Sequence, residues 1–125
     1  MARLQRVPLL VWLMLKVDVT SGLVAKDFFL LIEKDFGSRS PAMHNAAFTE
    51  KELPHVYSVL ELEKSGLEDK SSAAAIALRE RLRAPNFGGA SVTIPHKQVV
   101  MEFLDELSDA AQRIGAVNTV IPRED

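Results

Sequence analysis

The stretch Ala90-Ser91-Val92-Thr93-Ile94-Pro95-His96-Lys97 decides how this chain is read. Ala90, Val92 and Ile94 alternate with Ser91 and Thr93, the two-residue period of a half-buried strand with one apolar face and one hydroxyl face. Pro95 then stops the ladder, because it has no N–H to donate and fixes its own φ. Thr93 and Lys97 are thereby predicted together at a strand end, the place where open α/β sheets hold small ligands. A lysine against apolar walls moves protons near neutrality, and a charged one polarises a carbonyl or alkoxide. The plainer alternatives are a solvated lysine and a threonine chosen for its β-branched shape.

Outward from that strand, helical and extended patterns alternate. Residues 26–32 read as a buried strand that gives way to the charged turn Glu33-Lys34-Asp35. Ser40 reads as a helix N-cap with Pro41 at the first helical position and a helix over residues 42–48. Residues 55–62 form a second strand candidate, followed by a soluble linker over 63–70. Acidic Glu68 and Asp69, then Ser71 and Ser72, then an alanine-rich middle and Arg79, Arg81 and Arg83 give a helix matched to its macrodipole. Pro85-Asn86-Phe87-Gly88-Gly89 reads as a loop. Val100, Phe103, Leu104, Leu107, Ala111 and Ile114 recur at helical spacing, which predicts a helix over 98–114 stopped by Gly115. Residues 116–121 read as a last strand. The expectation is an α/β domain in three layers, αβα, around a mainly parallel sheet.

Composition narrows the function. With 125 residues the chain is one domain's worth, and a net charge of −2 offers nucleic acid or anionic lipid no general attraction. The absence of cysteine excludes disulfides and cysteine-ligated metals and fits a reducing, cytoplasmic setting. His44, His55 and His96 show no metal-ligand spacing, so no metal site is expected. Residues 1–25 stand apart as an atypical leader, disordered or targeting in character. Arg3 and Arg6 precede the apolar run Val7 to Leu15, which has the outline of a signal peptide but is interrupted by Pro8 and lacks a small-x-small cleavage site. That run is shorter than the ~20 residues a membrane-spanning helix needs.

Two further constellations carry chemistry. Ser38 and Ser40 place hydroxyls at a helix start, whose free N–H groups suit a small carboxylate, although Ser-Pro there is ordinarily just a cap. Arg39 reads as a solvated side chain, and His44 and Asn45 as satisfied structural groups. Asn118, inside an otherwise apolar strand, needs partners for its amide; a polyhydroxylated ligand or a backbone group supplies them equally well.

Taken together, Ser38-Arg39-Ser40-Pro41-Ala42-Met43-His44-Asn45, Ser91-Val92-Thr93-Ile94-Pro95-His96-Lys97 and Gly115-Ala116-Val117-Asn118-Thr119 resemble, in order and spacing, the substrate-binding N-terminal domain of the shikimate dehydrogenase family. The wording is most similar to the fungal forms, including the last domain of the pentafunctional AROM polypeptide, and the resemblance covers residues 26–125. It implies an NADP-linked reduction of 3-dehydroshikimate to shikimate, in the pathway to chorismate and the aromatic amino acids. By the same resemblance Ser38 and Ser40 hold the substrate carboxylate, Thr93 and Asn118 bond the ring and its hydroxyls, and Lys97 is both substrate-binding and catalytic at the reacting oxygen.

Two departures qualify that implication. The family's Gly-x-Pro-Ile-x-His before the first serine is replaced by Ile32-Glu33-Lys34-Asp35-Phe36-Gly37, and no Gly-x-Gly-x-x-Gly fingerprint occurs in these residues. The aspartate that works beside the lysine in the family lies in an Asn-Thr-Asp-Gly stretch that this sequence does not reach. The expectation is therefore a C-terminally truncated substrate-binding domain that binds shikimate, 3-dehydroshikimate or quinate, holds no cofactor itself and does not turn over alone. The alternative is a non-catalytic module that senses shikimate or quinate, as in a fungal quinate-pathway regulator.

Overall fold

Phe28-Phe29-Leu30-Leu31-Ile32 is apolar without alternation, the mark of a strand covered on both faces, and all five residues are buried. The computed structural model describes the backbone of residues 2–5 and residues 24–123. In chain order the elements are β1 (Ala2–Gln5), β2 (Asp27–Ile32), α1 (Ser40–Glu50), β3 (Val56–Glu61), α2 (Lys64–Glu68), α3 (Ala73–Arg83), β4 (Phe87–Val92), α4 (His96–Val99), a 3₁₀ turn (Val100–Phe103), α5 (Asp109–Ile114) and β5 (Thr119–Pro122). The apolar run Val7 to Leu15 of the leader lies outside the described residues.

One five-stranded sheet has the order β1-β5-β4-β2-β3. The strands β4, β2 and β3 run parallel, while β5 is antiparallel to both β4 and β1. Four strands thus share a direction and β5 alone opposes it. Phe29, Leu31, Ala90, Val92 and Val120 face a core closed by Leu67 of α2, by Ala75, Leu78 and Leu82 of α3, and by Phe103 and Ala111. Phe28, Leu30, Ile32 and Tyr57 face the opposite side, where Phe48 of α1 covers them. The expected three-layer αβα domain is what forms.

Several local expectations need correction. The helix cap is Arg39 rather than Ser40, and no side chain caps it; Ser38 Oγ accepts the Ser40 N–H at 3.0 Å, which turns the chain one residue early. The linker over 63–70 contains α2, because Leu67 is fully buried there. The loop over 85–89 is half strand: β4 starts at Phe87 because Phe28 sits where a Gly88 Cβ would be, 2.6 Å from its ring. At the other end β4 stops at Val92, and Ile94 is 68% exposed instead of facing the core. The long helix over 98–114 is broken, since Ser108 Oγ caps the Ala111 N–H at 3.1 Å and starts α5 afresh. Val100, Phe103 and Leu107 still pack on one core, so the apolar spacing recorded a buried face and not a continuous helix. Gly115 does stop α5, in the left-handed region at φ 77°. The last strand starts at Thr119, so Asn118 lies just before it.

Candidate functional site

Parallel topology gathers the candidate residues. Ser38 and Ser40 follow the C-terminal end of β2, and Thr93 and Lys97 follow the C-terminal end of β4. Because β5 runs against β4, its beginning lies at that same end: the Val92 N–H donates to the Asn118 carbonyl at 2.7 Å. All five predicted residues therefore stand on one end of the sheet. The opposite end is closed by its own pairing, with Arg81 bidentate on the Asp27 carboxylate at 2.8 and 3.0 Å and reaching Ser58 Oγ at 3.1 Å.

The loop carrying Ser38 is built on carboxylates. Asp35 at φ 68° and Gly37 at φ 67° both take the left-handed conformation, which an aspartate adopts at some cost. Glu61 Oε1 accepts the Asp35 N–H at 2.6 Å, and Glu33 accepts the N–H groups of Lys34 and Lys64 at 3.1 and 3.3 Å. The departure from the family's glycine–proline turn thus still yields a defined turn. Ser40 is half-buried, and among the described residues its hydroxyl makes no hydrogen bond.

Beneath that loop, α1 is fastened to the edge strand β3. Asn45 donates to the Tyr57 carbonyl and accepts from its N–H, both at 2.8 Å, so it completes a strand edge with a side-chain amide. His44 stacks on the Tyr57 ring with centroids 4.0 Å apart. Asn45 is the satisfied structural group expected of it, whereas His44 Nε2 is buried without a partner among the described residues. Burial pushes the His44 imidazole down to about 4 and the Tyr57 phenol up to about 12, the latter opposed in part by the Ser91 hydroxyl.

The turn carrying Lys97 is built on the core. The Thr93 N–H donates to Leu31 O at 3.1 Å, His96 N–H to Thr93 O at 3.0 Å, and Val117 N–H to Lys97 O at 2.8 Å. The His96 side chain is fully buried, with Nε2 2.8 Å from Leu62 O. Sequence reasoning weighed His96 only as a metal ligand and missed this anchor; its place between Pro95 and Lys97 was the available signal. Thr93, Lys97 and Asn118 are half-buried, and their side chains make no hydrogen bonds among the described residues. Half-buried polar groups without internal partners can bond to water or to a ligand.

A cleft of about 460 Å³ opens beside this end of the sheet, lined by Glu33, Asp35, Glu63, Glu68, Lys34 and Lys64 among others. It contains none of the five candidates, and four carboxylates against two ammonium groups make it a poor seat for an acid.

Residues 36–120 match the family model described as the shikimate dehydrogenase substrate binding domain. The chain is similar to the dehydroquinate dehydratase and shikimate dehydrogenase of S. pombe AroM, at 41% identity over 80% of this chain and 17% of that one, with a TM-score of 0.64. It is similar to a shikimate 5-dehydrogenase from Listeria monocytogenes solved with shikimate and NAD (34% identity, 80% of this chain, 32% of that one, TM-score 0.63). A third similar structure is the Thermus thermophilus enzyme with NADP(H) and shikimate (32% identity, 79% of this chain, 34% of that one, TM-score 0.63). The chain spans about a third or less of the length of these structures. No helix among the described residues is long and apolar enough to cross a membrane.

Proposed function

Because this chain belongs to the shikimate dehydrogenase substrate-binding domain family, we propose that it supplies the acid-holding half of an NADP-linked shikimate dehydrogenase. The observation that carries the reading is the convergence of Ser40, Thr93, Lys97 and Asn118, none internally hydrogen-bonded among the described residues, on one end of the sheet. Ser38 and Ser40 take the substrate carboxylate, and Thr93 and Asn118 take ring hydroxyls, each by hydrogen bonds of the kind that reject analogues lacking the group. Lys97 stands at the reacting oxygen and gives it a proton as the ketone becomes an alcohol, or removes that proton in reverse. The nicotinamide, held by the dinucleotide-binding part of such an enzyme, supplies or accepts the hydride. Similarity to the S. pombe chain supports a fungal type, and the lack of cysteine supports a cytoplasmic setting.

Titration calorimetry of this chain with shikimate and with quinate is the test. Shikimate is expected to bind, and the double variant Ser38→Ala/Ser40→Ala to weaken it by about a hundredfold or more, since each of the two lost bonds to a charged group is worth ~1.5–3 kcal/mol. Absence of binding by either acid sinks the reading. Binding that persists while no turnover follows, even with a dinucleotide-binding domain supplied, favours the shikimate- or quinate-sensing module instead.

A further inference from the structure

His96, at the ligand-facing end of the sheet, is 0% exposed, and it precedes the proposed catalytic lysine directly. Its side chain is fully buried, where a polar group is costly unless bonded. The bond it makes is long-range: Nε2 to Leu62 O at 2.8 Å. A carbonyl only accepts, so Nε2 carries the proton. Nδ1 is left buried without a partner among the described residues. A leucine or methionine would fill that volume without a buried, unpartnered nitrogen but would leave Leu62 O without this donor, so the imidazole serves its bond and not packing alone.

The geometry of the bond suggests what that bond does. In the sheet, β2 lies between β4 and β3. His96 follows β4 and Leu62 follows β3, so the imidazole reaches across the end of β2. The same Leu62 residue donates its N–H to Ile32 O at 3.0 Å, and Ile32 is the last residue before the loop that carries Ser38. One chain of bonds therefore runs from the Lys97 turn through His96 and Leu62 to the root of the Ser38 loop. On the other side, Lys97 O takes the Val117 N–H at 2.8 Å, which ties the turn to the residue before Asn118.

We propose that His96 is a positioning residue that sets the separation between Lys97 and the Ser38–Ser40 hydroxyls, and through it the fit of a small hydroxylated carboxylic acid spanning the two. This rests on the shikimate reading above for its ligand, but the internal bond is tested without any ligand. His96→Leu keeps bulk and removes the donor; His96→Gln returns an N–H near the position of Nε2. Leu78→Ala, in α3 and remote from the site, serves as the control that lowers stability alone.

In the unsubstituted chain, long-range proton–nitrogen NMR is expected to find the His96 proton on Nε2 and slow to exchange. His96→Leu is expected to speed hydrogen exchange at Val117 by about tenfold, and to weaken shikimate binding by about tenfold, the size of one buried bond left unmade. His96→Gln is expected to restore both to within about threefold, and Leu78→Ala to leave shikimate affinity within about twofold. A proton on Nδ1 alone, failure of Gln to rescue, or a Leu variant that binds and exchanges like the unsubstituted chain overturns the proposal. The tautomer is read without substitution, so it decides even where a variant does not fold. If the unsubstituted chain takes no shikimate while the exchange results hold, the shikimate reading falls and the His96 anchor stands.

Discussion

The loop after β2 that brings Ser38 and Ser40 is tied down by surface carboxylates, exposed Glu61 and half-buried Glu33, whereas the turn after β4 that brings Thr93 and Lys97 is tied down by a fully buried imidazole. Both serve the same end of the sheet. The difference lies in what surrounds the bonds: water competes for a carboxylate–amide bond on the surface, whereas the His96 side chain is closed off from bulk solvent. A surface arm tolerates rewriting, because a different set of side chains can satisfy the same few amides. The departure that the resemblance implied falls on this arm, over residues 32–37, while Thr93 to Lys97 on the other arm are among the residues that carry the resemblance.

The two arms are expected to separate in kinetics. Joined to the dinucleotide-binding domain of one of the similar dehydrogenases, the chain with Lys97→Ala is expected to lose turnover by about 10²–10⁴-fold, the range for removing a general acid–base group. Ser38→Ala in the same chimera is expected chiefly to raise KM, because carboxylate binding is the same in ground and transition states. An unchanged kcat in Lys97→Ala removes that lysine from the chemistry; a kcat loss in Ser38→Ala larger than its KM change erases the distinction between the arms.

Acid is expected to probe the support beneath the surface arm. α1 rests on the stacked pair His44 and Tyr57, and burial holds the imidazole down near 4, below its ordinary 6.5. A folded-state pKa below the unfolded value means the unfolded chain binds the extra proton first. Stability is then full above about 6.5 and falls as pH drops from there to about 4, by up to about 3 kcal/mol. Urea midpoints from pH 7 to 4 measure this, and His44→Phe is expected to flatten that part of the profile. A His44→Phe variant with the same acid slope as the unsubstituted chain assigns the loss elsewhere.

Legibility in the sequence followed the range of the forces involved. Strands β2 and β3, helix α3 and the stop at Gly115 were readable because burial periodicity, capping serine, macrodipole charge and a left-handed glycine act within a few residues. The break between the 3₁₀ turn and α5 was not, since a buried face produces the same apolar spacing whether or not the backbone is helical. The strand start at Phe87 was hidden because the need for Gly88 comes from the Phe28 ring, sixty positions earlier in the chain. For the site, the residue types and the placing of Thr93 and Lys97 together at a strand end were visible in the local pattern, whereas the strand order that brings Ser38, Ser40 and Asn118 to the same end was not. What holds them was not: the Glu61–Asp35 bond spans 26 positions and the His96–Leu62 bond 34, and no local pattern announces either.

The smallest expected effect tests the surface arm directly. Glu61 accepts the Asp35 N–H at 2.6 Å, and that residue already sits at φ 68°, a conformation it keeps only while something holds it. Glu61→Ala removes the acceptor from an exposed position, so global stability is expected to move by no more than about 0.5 kcal/mol. Local order is another matter, because the released turn leads straight to Ser38. Shikimate affinity is expected to fall about threefold, and Glu61→Gln, which keeps an acceptor oxygen in place, to recover most of it. Calorimetry of the three proteins beside their urea transitions separates the cases. A stability loss above about 1.5 kcal/mol makes the loop part of the core and ends the contrast with the His96 arm. Unaltered affinity shows that the turn holds its shape from the Glu33 bonds and its backbone alone, and narrows the surface support of Ser38 to a single carboxylate.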